Sequence, residues 1–339
     1  MDKRNTSPAT GEKTFDTLVR FEAAELSPLK LYANGRQQVW LEVLIEATLE
    51  GEPVDLTQPE LDSIRLVHYN TGEELSDDWT FSQEPNEYYF YPDAVGVESS
   101  TARVSQTEAK GRHVIQLYVS TVDSVAASRK LALAMTRNDG LVAITDARDV
   151  EPSWGKQNDV TLQPVRPPTY LIDNYPFEKT ILRETPFASD ADRRRDDGGS
   201  PIFVAYYYMG LVGNNGEPIG FKYMDVQEGG MIQWHDKVPA ETFASYTGYG
   251  KPGSNIAIYN KQIILGGHVP DVSISHPIAD RGTIILVGDV NIPFHADSAK
   301  NHGGPCRVTA IDVYGNDHEL NIKFKDATPQ GRFDLVLFK

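Results

Sequence analysis

The sequence predicts an all-β protein made of two β-sandwich domains, the first immunoglobulin-like and the second sandwich or jelly-roll-like. Three observations carry that expectation. Short runs that alternate apolar and polar residues recur along the 339 residues, sustained helical periodicity is almost absent, and Gly, Pro, Asn and Asp punctuate the runs. The length exceeds what one hydrophobic core fills, so the chain should divide. With 40% hydrophobic and 24% charged residues, its composition is that of a folded protein and not of a disordered one.

Residues 1–14 are rich in Ser, Thr, Pro and Gly and read as a flexible arm, ahead of a first domain over 15–168. The first regular element is expected after the Asn34-Gly35 turn, where Val39, Leu41, Val43, Ile45 and Ala47 alternate with mostly polar neighbours as a half-buried strand. Thr57 can cap a single helical turn containing Pro59, followed by a strand over 64–69 and a turn at Asn70-Thr71-Gly72. The aromatic run Tyr88–Tyr91 reads as sheet packing, because aromatics are strand formers. A strand over 113–121 comes next. Two runs, 130–137 and 141–146, flank Asn138-Asp139-Gly140 and predict a hairpin, which outweighs the helical potential of the Ala-rich stretch 124–135. Five prolines and glycines between Glu151 and Pro168 predict a linker.

The second domain is expected over 169–339. Its stretch 188–200 carries six consecutive charged residues and Gly-Gly, which predicts a disordered loop open to proteolytic nicking. The aromatic strand 202–208 is expected to form a hairpin with 219–223 across Gly213–Gly216, and further strands are expected at 256–259, 262–265, 283–287, 307–314, 319–325 and 333–338. Gly315-Asn316-Asp317 joins two of these. The first domain lacks the Cys…Trp…Cys hallmark, so its immunoglobulin-like character is one of architecture alone.

Charge narrows function. Forty-eight acidic against 32 basic residues give −16, a surface that repels nucleic acid and anionic membranes. Stable membrane insertion is not expected, as no apolar run approaches the length of a span. The N-terminal residues resemble no signal peptide, so the expected location is the cytoplasm, or release by lysis or a dedicated secretion apparatus. The single cysteine, Cys306, precludes an intramolecular disulfide and reads as a small buried residue.

Catalytic signatures are absent. No G-x-S-x-G occurs, Lys251–Ser254 reads as a turn, and Gly248-Tyr249-Gly250 precedes a strand instead of opening a helix. Asp312, Asp317 and Glu319 flank a turn without calcium-loop spacing. Six of the eight histidines lie beyond residue 234, and His295 with His302, near Asp289, Asn291 and Asp297, are the candidate metal ligands, although their spacing matches no compact motif and no cofactor is expected. Aromatic and amide residues offer the stronger case. Trp234, Tyr246, Tyr249 and Asn255 are the candidate ligand-binding residues, the first three on the Gly-rich segment 234–249 that reads as an exposed loop, with the tyrosines 206–208 as further aromatic candidates. The expected function is non-enzymatic recognition or assembly of bacterial or phage type, with a protein or carbohydrate surface as partner and scope for homo-oligomers. A secreted toxin or pore-forming subunit and a metal-dependent enzyme using the C-terminal histidines are the alternatives.

Overall fold

A computed structural model describes residues 11–25, 29–92, 111–124, 127–145, 159–184, 202–234, 244–261, 272–289, 302–328 and 330–339. The chain is all-β and divides into two compact units, Met1–Pro167 and Pro168–Lys339.

In the first unit the strands are β1 (Thr17–Glu25), β2 (Lys30–Tyr32), β3 (Val39–Leu49), β4 (Glu52–Val54), β5 (Arg65–His68), β6 (Trp79–Ser82), β7 (Arg112–Thr121), β8 (Arg129–Thr136), β9 (Val142–Ile144) and β10 (Val160–Val165). One sheet runs β1-β3-β7-β6 with β4 on β3; the other runs β2-β10-β8-β5 with β9 on β8, and β2 and β10 are parallel. Leu41, Val43 and Ile45 of β3 meet Leu117 and Val119 of β7, Leu131 and Leu133 of β8 and Leu162 of β10 in one buried cluster, which makes the pair a sandwich.

The strongest alternation, over 39–49, forms β3 with its odd residues from Val39 to Ala47 buried. Helix α1 (Gln58–Asp62) follows Thr57 as expected. Its Glu60 is fully buried and accepts the backbone N–H of Thr57 at 2.9 Å and of Asn138 at 3.1 Å, tying the helix to the β8–β9 turn. That turn is the Asn138-Asp139-Gly140 hairpin, where Arg137 binds Asp139 and holds its carboxyl down at about 2.

Three expectations for this unit need correction. Regular structure begins before Asn34, with β1 and β2; the bulge between Leu18 and Arg20 breaks the period-two pattern that would have announced β1. Residues 1–10 of the expected arm lie outside the described residues, and Phe15 is already core. Tyr88–Tyr91 form no strand. They sit between Pro85 and Pro92, Tyr89 is 53% exposed, and Tyr91 packs its ring on Tyr32 at 4.9 Å. The proline-rich linker is in part β10: Pro164 lies beyond Val160–Leu162, where pairing with β8 ends, so its missing N–H costs no ladder bond. Residues 146–158 lie outside the described residues.

The second unit contains β11 (Phe177–Glu184), β12 (Phe203–Met209), β13 (Leu211–Val212), β14 (Pro218–Ile219), β15 (Phe221–Val226), β16 (Ile232–Trp234), β17 (Ala244–Gly250), β18 (Ile258–Tyr259), β19 (Gly282–Asp289), β20 (Cys306–Asp312), β21 (Asp317–Phe324) and β22 (Leu335–Phe338). A six-stranded sheet runs β11-β12-β19-β17-β16 with β18 on β17, and a four-stranded sheet runs β15-β20-β21-β22. Ala205, Tyr207, Ile284 and Leu286 from the first pack on Val308, Ala310, Leu320 and Ile322 from the second. The opposite face of the six-stranded sheet is buried too, with Tyr206, Tyr208, Tyr246, Ile285 and Val287 under Ala257 and Ile274.

The expected hairpin between 202–208 and 219–223 does not form. Gly213–Gly216 closes only the two-residue ladder β13–β14, while β12 lies between β11 and β19 and β15 pairs with β20. Both edges of β12 are taken up along its whole length, by β11 and by β19, which leaves no edge for a hairpin partner at 219–223. Of 256–259 only Ile258–Tyr259 are strand, and 188–200 and 262–265 lie outside the described residues. No helix among the described residues is long and apolar enough to cross a membrane.

Candidate binding groove

Alternation on the four-stranded sheet sends every second side chain outward. The register sets Tyr223 beside Ile311 and Asp317, and Asp225 beside Thr309 and Glu319, forming two rows across β15, β20 and β21. These six residues, with Lys251 at the rim, line a groove of about 570 Å³. Tyr223 is 40% exposed and supplies an aromatic shelf; three carboxylates, a hydroxyl and an ammonium surround it. Asp225 also borders a second recess of about 370 Å³, lined by Glu228, Tyr249, Tyr259 and Asn260. There Tyr249 donates its hydroxyl to Asp225, and burial with the Asp225 charge pushes the phenol well above its ordinary range. The wall between β15 and β16 is a left-handed turn. Glu228 has φ 54°, and a Cβ on Gly230 would fall 2.2 Å from the Thr247 carbonyl oxygen.

Beneath the groove lies a closed polar chain. Asp312 accepts the backbone N–H groups of Tyr314 at 2.8 Å and Asn316 at 3.0 Å, the Asn316 amide at 3.0 Å and His318 Nε2 at 3.2 Å. With Nε2–H donated to Asp312, Nδ1 of a neutral His318 accepts a hydrogen bond from the Tyr175 hydroxyl at 3.0 Å. Tyr170 stacks on the imidazole, and Tyr175 and Phe221 meet it edge-on. Burial first and the Asp312 charge second push the Tyr175 phenol up to about 12, so it stays a proton donor. The side chains of His318 and Asp312 are 3% and 0% exposed, so the network is part of the packed interior. The chain Tyr175-His318-Asp312 therefore fastens residues 170–175 to the β20–β21 hairpin.

Of the sequence-derived candidates, Tyr249 lines the recess beside the groove, and the other described ones fall elsewhere. Trp234 and Tyr246 belong to paired strands β16 and β17 and are 9% and 0% exposed, and Tyr249 is 4% exposed. The exposed-loop reading of this segment is corrected for its described ends; 235–243 lie outside the described residues. Asn255 is exposed in the turn before β18, where its carbonyl accepts the Ile274 N–H at 2.8 Å. Tyr208 donates to the His276 carbonyl at 2.9 Å, and Tyr206 accepts the Ser275 N–H at 3.4 Å, so the tyrosines of β12 anchor residues 274–276 over the sheet. His302 is half-buried, with Nε2 on the Pro305 carbonyl at 3.1 Å, and His295, Asn291 and Asp297 lie outside the described residues. Among the described residues no group of three or more His, Cys, Asp or Glu could hold a metal ion. Asp312 points inward while Asp317 and Glu319 point outward, so these three carboxylates do not converge. Cys306 is fully buried, and burial with the Glu228 charge pushes its thiol up to about 12, far from a thiolate nucleophile.

Tyr246 offers a direct measure of what such burial costs. Its hydroxyl has no hydrogen-bond partner among the described residues, edge-on to Tyr259 at 5.9 Å. Tyr246→Phe is expected to raise stability by about 1 kcal/mol, since a buried orphan hydroxyl carries an uncompensated desolvation cost. Urea denaturation followed by circular dichroism would read it, and a lowered midpoint would contradict it.

No protein-family model matches the chain, and no curated protein matches it either.

Proposed function

We propose that this chain is a non-enzymatic recognition or assembly protein of bacterial or phage type, with an immunoglobulin-like first unit and a ligand-binding second unit. The observation that carries the reading is the groove on β15, β20 and β21: an exposed aromatic shelf ringed by hydrogen-bonding groups on a rigid sheet. Tyr223 presents a flat apolar face, while Asp225, Thr309, Glu319 and Lys251 supply directed polar contacts. Protein and glycan ligands both use that combination, stacking an apolar face on the ring and bonding the polar rim. The buried Tyr175-His318-Asp312 chain supports the reading indirectly, since it stiffens the hairpin that bears half of the groove.

Glycan and peptide arrays probed with the full chain are expected to give a saturable ligand. Tyr223→Ala should weaken that ligand about 30-fold, the loss typical of a central aromatic anchor, and leave the thermal midpoint unchanged. Arrays without a saturable ligand, or one that binds Tyr223→Ala equally well, would sink the reading.

A further inference from the structure

Strand β11 ends the six-stranded sheet, and among the described residues nothing pairs with its outer edge. All residues from Glu178 to Glu184 are exposed, Ile181 at 47% and Leu182 at 39%. Natural sheets usually cover or blunt an edge of this length and character. Lys179 instead pins this one in place, donating to the Phe333 carbonyl at 2.8 Å and pairing with Asp334 at 2.6 Å.

The bulge in β11 has a consequence for pairing. Ile181 opposes Ala205 and Arg183 opposes Val204, so Leu182 is the extra residue. The insertion resets the alternation and puts Arg183 on the same face as Glu178 and Thr180, with Phe177, Lys179 and Ile181 on the other. In an unbroken strand, residues five apart lie on opposite faces and cannot meet across a two-fold axis normal to the sheet. With the bulge they can. Two β11 strands, antiparallel about an axis at Thr180, bring Glu178 opposite Arg183 of the second copy twice over and set the two Thr180 residues side by side. Oppositely charged and Thr–Thr partners are favourable cross-strand pairs.

We infer that the outer edge of β11 is a self-association surface whose occupant is a second copy of this chain, in antiparallel register centred on Thr180. The contact is isologous and closes at a dimer, so an edge that would otherwise recruit strands without limit is used once. In this register Glu178 and Arg183 exchange places under the two-fold axis, so each copy supplies both members of the charge pairs.

Sedimentation velocity on the full chain over a concentration series tests this. A reversible monomer–dimer equilibrium is expected, with Arg183→Glu raising the dissociation constant roughly tenfold. Glu178→Arg should weaken it as well, although Glu178 also pairs with Arg281 at 2.7 Å within the copy. The double variant E178R/R183E should recover the dimer, a rescue that a purely structural role for either residue would not produce. Circular dichroism of each variant separates lost pairing from lost fold. A monomer at all concentrations, a dimer that Arg183→Glu leaves unchanged, or a double swap that fails to recover it would overturn the inference.

Discussion

Asp312→Ala is expected to destabilise the second unit by roughly 3–5 kcal/mol, the range for removing one member of a buried charged network. The carboxylate is 0% exposed and takes four hydrogen bonds, two from loop backbone, one from Asn316 and one from His318. Alanine would orphan all four donors in a site too enclosed for water to replace the lost oxygens freely, and His318 would lose the group that fixes its ring. Asp312→Asn should recover part of the loss, because one oxygen still accepts while the new amide faces donors. Urea denaturation followed by circular dichroism measures both, and an unchanged midpoint for Asp312→Ala would remove the network from any structural role.

Trp234→Ala is expected to cost about 3–5 kcal/mol, as large aromatic-to-alanine changes do in a packed core. Trp234 is 9% exposed and clusters with Ile232, Tyr246 and Ala244 on the outer face of the six-stranded sheet. It is remote in role from Tyr223. The two tryptophan and tyrosine variants should therefore dissociate stability from binding: Trp234→Ala lowers the denaturation midpoint and spares ligand affinity below that midpoint, whereas Tyr223→Ala does the reverse. Loss of binding by folded Trp234→Ala would return the ligand site to β16 and β17.

Where alternation was uninterrupted, strands were legible in the sequence: β3, β7, β20 and β21 lie where their apolar periodicity put them, β8 lies where the Asn138-Asp139-Gly140 turn put it, and that turn and Gly315-Asn316-Asp317 sit at real hairpins. Bulges and long-range pairing were not. The bulge in β1 erased its period, and nothing local told that β12 would lie between β11 and β19. The aromatic candidates failed as exposed groups for a related reason. A tyrosine-rich strand reads the same whether its second face meets solvent or another layer, and here residues 274–276, fastened by the hydroxyls of Tyr206 and Tyr208, cover it. The groove itself was concealed because Tyr223, Thr309 and Glu319 come from three strands and meet only through register. His318 could have been found. It shares the inward phase of Leu320, Ile322 and Phe324, which marks a histidine destined for the core.

The outward rows on β15, β20 and β21 also bear on how such a protein can change over generations. The pleat divides each strand into two independent alphabets, one that holds the sheet against its partner and one that meets the exterior. Tyr223, Thr309, Ile311, Asp317 and Glu319 can be rewritten with little penalty to the inward Met224, Val308, Ala310, Leu320 and Ile322, whereas Asp225 also holds the buried Tyr249 hydroxyl. Drift, or selection for a different surface to grip, can thus act on five letters while the architecture stays constant.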